Sequence, residues 1–273
     1  MSSIVDSLTQ IYVFAADYLG AHPAEAGWRH SHNAELDFTD AEVIPIGLIQ
    51  GGLGVATLKQ TYELIAANHR DCFPRLCSYP RWIARLHALQ PLIGRLVVAA
   101  LARHRMPTRV YVMDTKPIPV CKPIRHGRVR LLREDGAYFG KNSVGWYFGF
   151  KIHVLMHKNG GILSVLLTSA NHSGKDVEIN LLLASAVEGG LALADRGYRN
   201  SELGQELTER LGLGLLTPAD VPPPHRLFLS QERERIETVF SQLWAHFMDR
   251  VFSRSWLGLW NTCCSRSLTT TCA

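Results

Sequence analysis

Three acidic residues stand where carboxylates can do chemistry. Asp114 closes the run Val110-Tyr111-Val112-Met113, which is rich in β-formers. Asp195 closes the short apolar run Leu191-Ala-Leu-Ala and is followed by Arg-Gly-Tyr. Glu237 lies in Arg233-Glu-Arg-Ile-Glu-Thr-Val-Phe-Ser-Gln-Leu. Two strand-end carboxylates in one sheet can lie side by side at its edge, and a helix packed across that sheet can bring a third. Three converging carboxylates do not all stay ionised without compensation. A pair of divalent ions supplies it, and oxygen ligands suit Mg²⁺ or Mn²⁺. Two such ions activate a water or hydroxyl and stabilise the leaving oxygen of a phosphodiester. Each acid also has an ordinary reading. Asp114 and Asp195 could start turns, and Glu237 could pair with Arg233 on a helix surface.

The cations around these acids suit a polyanionic substrate. From Lys116 to Arg133 the chain carries Lys116, Lys122, Arg125, Arg128, Arg130 and Arg133 with no acid among them. The candidates for phosphate contacts are Lys116, Arg125, Arg128, Lys151, Arg196 and Arg233. Lys151 and His153 sit in a strand-like run, where ordinary surface exposure is the competing reading.

The elements that must position these residues fall into two textures. Residues 1–105 read as helical, with Ile4, Leu8, Ile11 and Tyr12 at helical spacing. Thr39-Asp-Ala-Glu42 is a capping box, and the apolar run after it, Val43–Ile49, stops at Gly51-Gly52. Further helices are expected over Ala56–Asn68, after Pro80, and over Leu92–Arg103. Arginines at 70, 75, 81, 85, 95, 103 and 105 punctuate this half, either as solvated helix faces or as a module touching DNA phosphate. From Arg109 the pattern predicts a strand over Val110–Met113, a strand over Gly145–Met156, an Asn159-Gly160 hairpin and a strand over Ile162–Thr168. A helix over Ser173–Gly189, a strand ending at Asp195, a helix over Arg199–Leu211 and a strand over Leu213–Thr217 follow. A long helix then starts near Ser230, with Ile236, Val239, Phe240, Leu243 and Phe247 as its apolar face and Glu237 at the margin. This order is that of a mixed α/β domain.

Composition bounds the reading without directing it. The chain has 273 residues, 47% hydrophobic and 19% charged, with a net charge of +5, which is ordinary for a globular protein and permits nucleic acid as a partner. No apolar run approaches the length of a membrane span, and the start of the chain lacks the pattern of a secretion signal. A cytoplasmic location is expected. The six cysteines include no CxxC pair; Cys72 and Cys77 with His69 and His87 fit no common zinc spacing and read as reduced thiols.

Several lines of the chain carry a resemblance. They are Asp114-Thr-Lys-Pro-Ile-Pro-Val-Cys, Tyr147-Phe-Gly-Phe-Lys-Ile-His-Val, Leu167-Thr-Ser-Ala-Asn-His, Leu193-Ala-Asp-Arg-Gly-Tyr, Leu216-Thr-Pro and Arg235-Ile-Glu-Thr-Val-Phe-Ser-Gln-Leu. In this order they resemble the bacterial insertion-sequence DDE transposases, most closely the insertion-sequence 982 family, related to the insertion-sequence 4 group. The resemblance implies an RNase H-like catalytic core over 106–255, preceded by a helical region over 1–105 that helps bind DNA ends. It implies Asp114, Asp195 and Glu237 as the triad holding two Mg²⁺ or Mn²⁺ ions. It implies cleavage at the element's ends and strand transfer into target DNA, with double-stranded terminal inverted repeats and target DNA as partners and a homodimer on DNA. Eighty residues separate the aspartates and 41 separate Asp195 from Glu237, which leaves no room for a large insertion before the glutamate.

The chain also departs from the related Tyr-Arg-Glu-Lys signature. Arg233 matches its arginine, but Ser230 stands at the tyrosine and Trp244 at the lysine. A Trp can stack on a base but does not neutralise a phosphate. After Ser255-Trp-Leu-Gly-Leu-Trp-Asn the family continues as an apolar helix, whereas here Thr262-Cys-Cys-Ser-Arg-Ser-Leu-Thr-Thr-Thr-Cys-Ala offers poor helix formers and no apolar stripe. One back-translation of this tail, shifted in frame, encodes Leu-Leu-Leu-Lys-Ile-Leu-Asp-Tyr-Asn-Met-Cys. Residues 256–273 therefore read as an atypical tail from a frameshift in a decaying copy, which the gene's nucleotides test directly. Such a copy could be a terminal-repeat DNA-binding protein that represses its own element. A metal-dependent nuclease without strand transfer is the third alternative.

Overall fold

The computed structural model describes residues 3–25, 37–103, 108–125, 128–184, 187–244 and 253–272. The chain divides into two compact units, residues 1–100 with 256–269, and residues 101–255 with 270–273.

The first unit is helical. Its elements are α1 (Ile4–Ala21), α2 (Asp40–Leu48), α3 (Gln50–Leu53), α4 (Leu58–Asn68), α5 (Tyr79–Ala88) and most of α6 (Gln90–Arg103). Helix starts are written in the sequence: Ser3, Thr39 and Thr57 each close a reciprocal capping box, the one at Thr39 with Glu42 as expected. The Gly51-Gly52 break is corrected, because α3 runs through both glycines. Gly51 permits a close approach, since a Cβ there would meet Thr269 Oγ1 at 2.7 Å and the Ser265 carbonyl oxygen at 2.9 Å. Trp82 is fully buried and its indole N–H donates to the Val43 carbonyl at 3.2 Å. Of the arginines from Arg70 to Arg105, Arg85 pairs with buried Asp40 at 2.8 Å and packs over Phe38, while Arg75 pairs with Asp37 and Arg95 with Glu25. These three tie the unit together; Arg105 lies outside the described residues.

The second unit is built on a six-stranded mixed sheet. Its strands are β1 (Val110–Pro119), β2 (Tyr138–Lys141), β3 (Trp146–His157), β4 (Ile162–Ser169), β5 (Gly190–Leu193) and β6 (Leu213–Leu216). β3 is antiparallel to β1 on one side and shares its other side between β2 and β4; β5 and β6 continue parallel to β1. The path β4-β3-β1-β5-β6, three antiparallel strands followed by two parallel ones, is the RNase H-like order expected. Helices α7 (Val177–Ala184) and α8 (Ser201–Leu211) cover the face that carries Tyr111, Met113, Leu155, Ala192 and Ala194. A third helix, α9 (Pro223–Trp244), packs against β1.

Four element boundaries correct the sequence reading. β1 does not end at Asp114 but continues to Pro119, because the long β3 keeps pairing with it through Gly149. Even-numbered β1 residues face β3 with their N–H groups, as Val120 does toward the Phe148 carbonyl. Pro117 and Pro119 therefore lack their N–H on the opposite side, beyond the last β5 residue, where no ladder needs it. β2 was missed, since four residues with one glycine give little alternation. The helix expected over Ser173–Gly189 starts only at Val177; turns stabilised by Ser173 Oγ and the Asn180 amide, which donates to the Gly174 carbonyl at 2.7 Å, occupy the preceding residues. α9 begins at Pro223 rather than near Ser230, because a proline in the first turn has no helical donor to lose.

The tail is helical: α10 spans Trp256–Cys272. Within the first unit it buries Leu257, Leu259, Cys263 and Cys264, and with them Asn261, Ser265, Arg266 and Ser267. The Ser265 hydroxyl donates to the Leu48 carbonyl and accepts the Gly51 N–H, and the Asn261 amide donates to the Gly47 carbonyl at 2.9 Å. Burial at the α2–α3 junction thus overrides the poor helix propensity of the tail.

Candidate active site on the sheet face of Asp114

Register places the two aspartates level with each other. Val110, Tyr111 and Val112 of β1 lie beside Leu191, Ala192 and Leu193 of β5 in a parallel ladder. Continuing that register by two rows brings Asp114 beside Asp195. Side chains alternate along a strand, so both aspartates belong to the face opposite Met113 and Ala194, away from α7 and α8. Asp114 is half-buried; Asp195 is exposed and, contrary to the expected strand end, lies two residues past β5 as the N-cap of a short 3-10 turn over Arg196–Tyr198. Each carboxylate is fixed by the next backbone amide: Asp114 Oδ1 accepts from Thr115 N–H at 2.7 Å and Asp195 Oδ1 from Arg196 N–H at 2.6 Å.

α9 crosses this same strand, and two anchors set its position. Near its middle Arg235 donates to the Lys158 carbonyl, which neighbours the Val110 end of β1. Further on, Phe240 and Trp244 meet Lys116. The anchors bracket Asp114 along the strand, and Glu237 lies between them on the helix. Ile236, Val239, Phe240 and Leu243 are buried and Glu237 is exposed at the margin of that stripe. Phe247 lies outside the described residues. Among the described residues, no three His, Cys, Asp or Glu side chains stand close enough together to hold a metal ion. The β1–β5 ladder thus points toward Asp114 and Asp195 beyond its last pair, Val112 with Leu193, and Glu237 lies on the neighbouring helix, without the three forming one cluster. A carboxylate on β1 and one in the turn after β5 are an oxygen-only donor set, and that chemistry fits a hard divalent cation.

The cations separate by face. Lys116 follows Asp114 by two residues in β1 and shares its face. Arg196 is exposed beside Asp195, and Arg125 and Arg128 are exposed in the loop after β1. Arg233 belongs to α9, one turn before Glu237. Lys151 lies opposite Pro117, one residue out of phase with Asp114, and so on the other face. Its ammonium donates to the His172 carbonyl at 2.6 Å, and burial lowers its pKa. His153, on that same face, is fully buried with its ring nitrogen 2.8 Å from Thr168 Oγ1. Burial, aided by the Lys151 and His172 charges, pushes its pKa down to about 4, so it is neutral at pH 7. Sequence reasoning missed the approach of Lys116 to Trp244. The signal was present in Pro117 and Pro119, whose alternation allows the strand to run on past Asp114. It also missed a cavity of about 590 Å³ beside β2, lined by Arg133, Tyr138, Phe139, Phe148, Asn171 and His172.

Comparison with known proteins agrees with this architecture. The family model of the transposase DDE domain matches residues 104–248, more than half of the chain. The chain belongs to that family, and the match spans Asp114, Asp195 and Glu237. No curated protein matches the chain. Among solved structures, the piggyBac transposase synaptic complex with hairpin DNA is similar over 97% of this chain and 72% of that chain, at 9% identity and a TM-score of 0.48. The Mos1 transposase paired-end complex with the left transposon end covers 91% of this chain and 94% of that chain, at 14% identity and a TM-score of 0.26. A Mos1 mariner paired-end complex with Mn covers 93% and 82%, at 13% identity and a TM-score of 0.26. These likenesses are distant, and the fold assignment stands on the strand order described above.

Proposed function

We propose that this chain is a DNA transposase of the insertion-sequence 982 type that cleaves phosphodiesters at the ends of its element and joins the freed 3′-hydroxyl to target DNA. The observation that carries the proposal is the β1–β5 ladder, which, continued two rows past Val112 and Leu193, would level Asp114 with Asp195 on the sheet face crossed by α9. Asp114 and Asp195 would hold the divalent ions, with Glu237 as the third ligand. Two Mg²⁺ or Mn²⁺, when bound, supply activation of the attacking oxygen and neutralisation of the leaving one. The chain's part would be to orient the two carboxylates, one on β1 and one in the turn after β5, each of which accepts from the next backbone amide, Thr115 and Arg196. Lys116, Arg125, Arg128, Arg196 and Arg233 are proposed to hold DNA phosphates. Lys151 is the weakest of the six original candidates, since its strand position turns it away from Asp114. The helical unit is proposed to grip the terminal repeats, with two copies pairing two ends.

A second reading has its own observation. Arg266 is buried in α10, and among the described residues none of its three guanidinium nitrogens has a hydrogen-bond partner. Evolution under selection seldom leaves a charge in that position. A frameshifted tail in a decaying copy accounts for it, and such a copy could bind terminal repeats without cutting and so repress the element. The two readings separate in one experiment: nicking, in Mn²⁺, of a duplex carrying the repeats that flank the gene, by wild type and by Asp114→Asn. Nicking by wild type alone supports the transposase, and joining of the cleaved end to a second duplex distinguishes it from a plain nuclease. Binding without nicking by both proteins supports the repressor. A folded protein that neither binds nor nicks removes both readings.

A further inference from the structure

Lys116 and Trp244 meet on the sheet face that carries Asp114. Two residues of strand separate Asp114 from Lys116, roughly 7 Å along β1. The Lys116 ammonium lies 4.8 Å from the Trp244 ring centroid and 5.5 Å from that of Phe240. The two rings stand edge to face, 5.9 Å apart at 89°, and form a two-walled aromatic corner. Phe240 is buried and Trp244 half-buried, so the corner is anchored in the α9 packing. Among the described residues no carboxylate forms an ion pair with Lys116.

An aromatic corner and a carboxylate hold a lysine with different consequences. A carboxylate fixes the ammonium and cancels its charge. Ring faces attract the cation through their quadrupoles and leave its full charge available to an anion. They also restrict a long, flexible stem that would otherwise lose its rotamer freedom only on binding. We infer that Phe240 and Trp244 hold the Lys116 ammonium as a preset cation for the DNA phosphate next to the one cleaved at Asp114 and Asp195. Trp244 is then a positioning residue that acts through Lys116. The inference rests on reading Asp114 and Asp195 as the cleavage site. It explains how an aromatic residue can stand in α9 on the substrate side: the positive charge comes from the strand, and the helix supplies the wall.

The test is the salt dependence of binding to the same repeat-bearing duplex, without Mn²⁺ so that nothing is cut. Lys116→Met is expected to lower the slope of log affinity against log salt by about one and to weaken binding. Lys116→Arg keeps the slope. Trp244→Leu is expected to weaken binding roughly threefold, Trp244→Phe to restore most of that loss, and Trp244→Leu to add nothing when combined with Lys116→Met. A wild-type slope for Lys116→Met overturns the inference. So do additive effects of the two substitutions, which would make Trp244 a base-stacking or purely structural residue. Failure of wild type to bind, or Asp114→Asn nicking as wild type does once Mn²⁺ is added, overturns the functional reading and this inference together. Asp114-dependent nicking with unchanged salt dependence in Lys116→Met overturns this inference alone.

Discussion

α9 and α10 treat polar residues in opposite ways. α9 buries Ile236, Val239, Phe240 and Leu243 in a stripe and keeps Glu237 at its exposed margin. α10 buries every residue from Asn261 to Ser267 except half-buried Thr262, and among them a guanidinium without partners. In α9 the pattern of the sequence and the demands of the packing agree. In α10 the packing imposes a helix on a sequence whose pattern never asked for one. Burial lowers the Arg266 pKa to about 10, so the side chain stays charged at pH 7 inside the unit. The lesson is that a place in a fold can be occupied without being suited to its occupant.

The largest expected effect breaks the chemistry at the face crossed by α9. Glu237→Gln, read as single-turnover nicking in Mn²⁺, is expected to lose on the order of 10³-fold or more in rate while keeping DNA affinity. A rate within a few-fold of wild type would remove Glu237 from the site and leave the aspartate pair alone. The next effect tests the packing of α9. Ile236→Ala should destabilise the second unit by about 3 kcal/mol, measured as a shift in denaturant midpoint.

α10 should respond with the opposite sign. Arg266→Met keeps much of the volume and removes the unpaired charge, so it is expected to stabilise the protein by about 2 kcal/mol. A loss of stability on that change would show that Arg266 has a partner in solution. The smallest effect is a matter of pH. The His153 pKa is depressed to about 4 from an ordinary 6.5, so below pH 6.5 the unfolded chain takes up a proton that the folded one does not. Stability from this group is complete above pH 6.5 and falls as pH drops toward 4, at about 1.4 kcal/mol per unit within that window. In urea melts across this range His153→Gln should flatten the dependence, and an unchanged slope would place the effect elsewhere.

Legibility in the sequence followed the same divide between pattern and packing. The capping box at Thr39, the apolar stripe of α9 and the Asn159-Gly160 turn depend on near neighbours, and near neighbours are written in order. The order of elements along the chain was readable from their periods, and the RNase H-like arrangement of the strands came only from the resemblance. The extent of β1 was not readable, because it depends on how far β3 runs beside it. The same holds for α3, where Gly51 serves a close approach by Ser265 rather than a turn. The level placement of Asp114 and Asp195 needed the ladder between β1 and β5, and the meeting of Lys116 with Trp244 needed the path of α9. Both contacts join residues far apart in the chain, and no local period encodes them.

The prolines of β1 have a consequence for what can reach the aspartates. Past Leu193, the flank of β1 that faced β5 presents a strand edge in which Pro117 and Pro119 offer no donors. An extended segment from another molecule, or a slipped copy of β5, cannot zip onto an edge that has lost alternate N–H groups. The stretch of β1 just past Asp114 is thereby a poor template for an added strand.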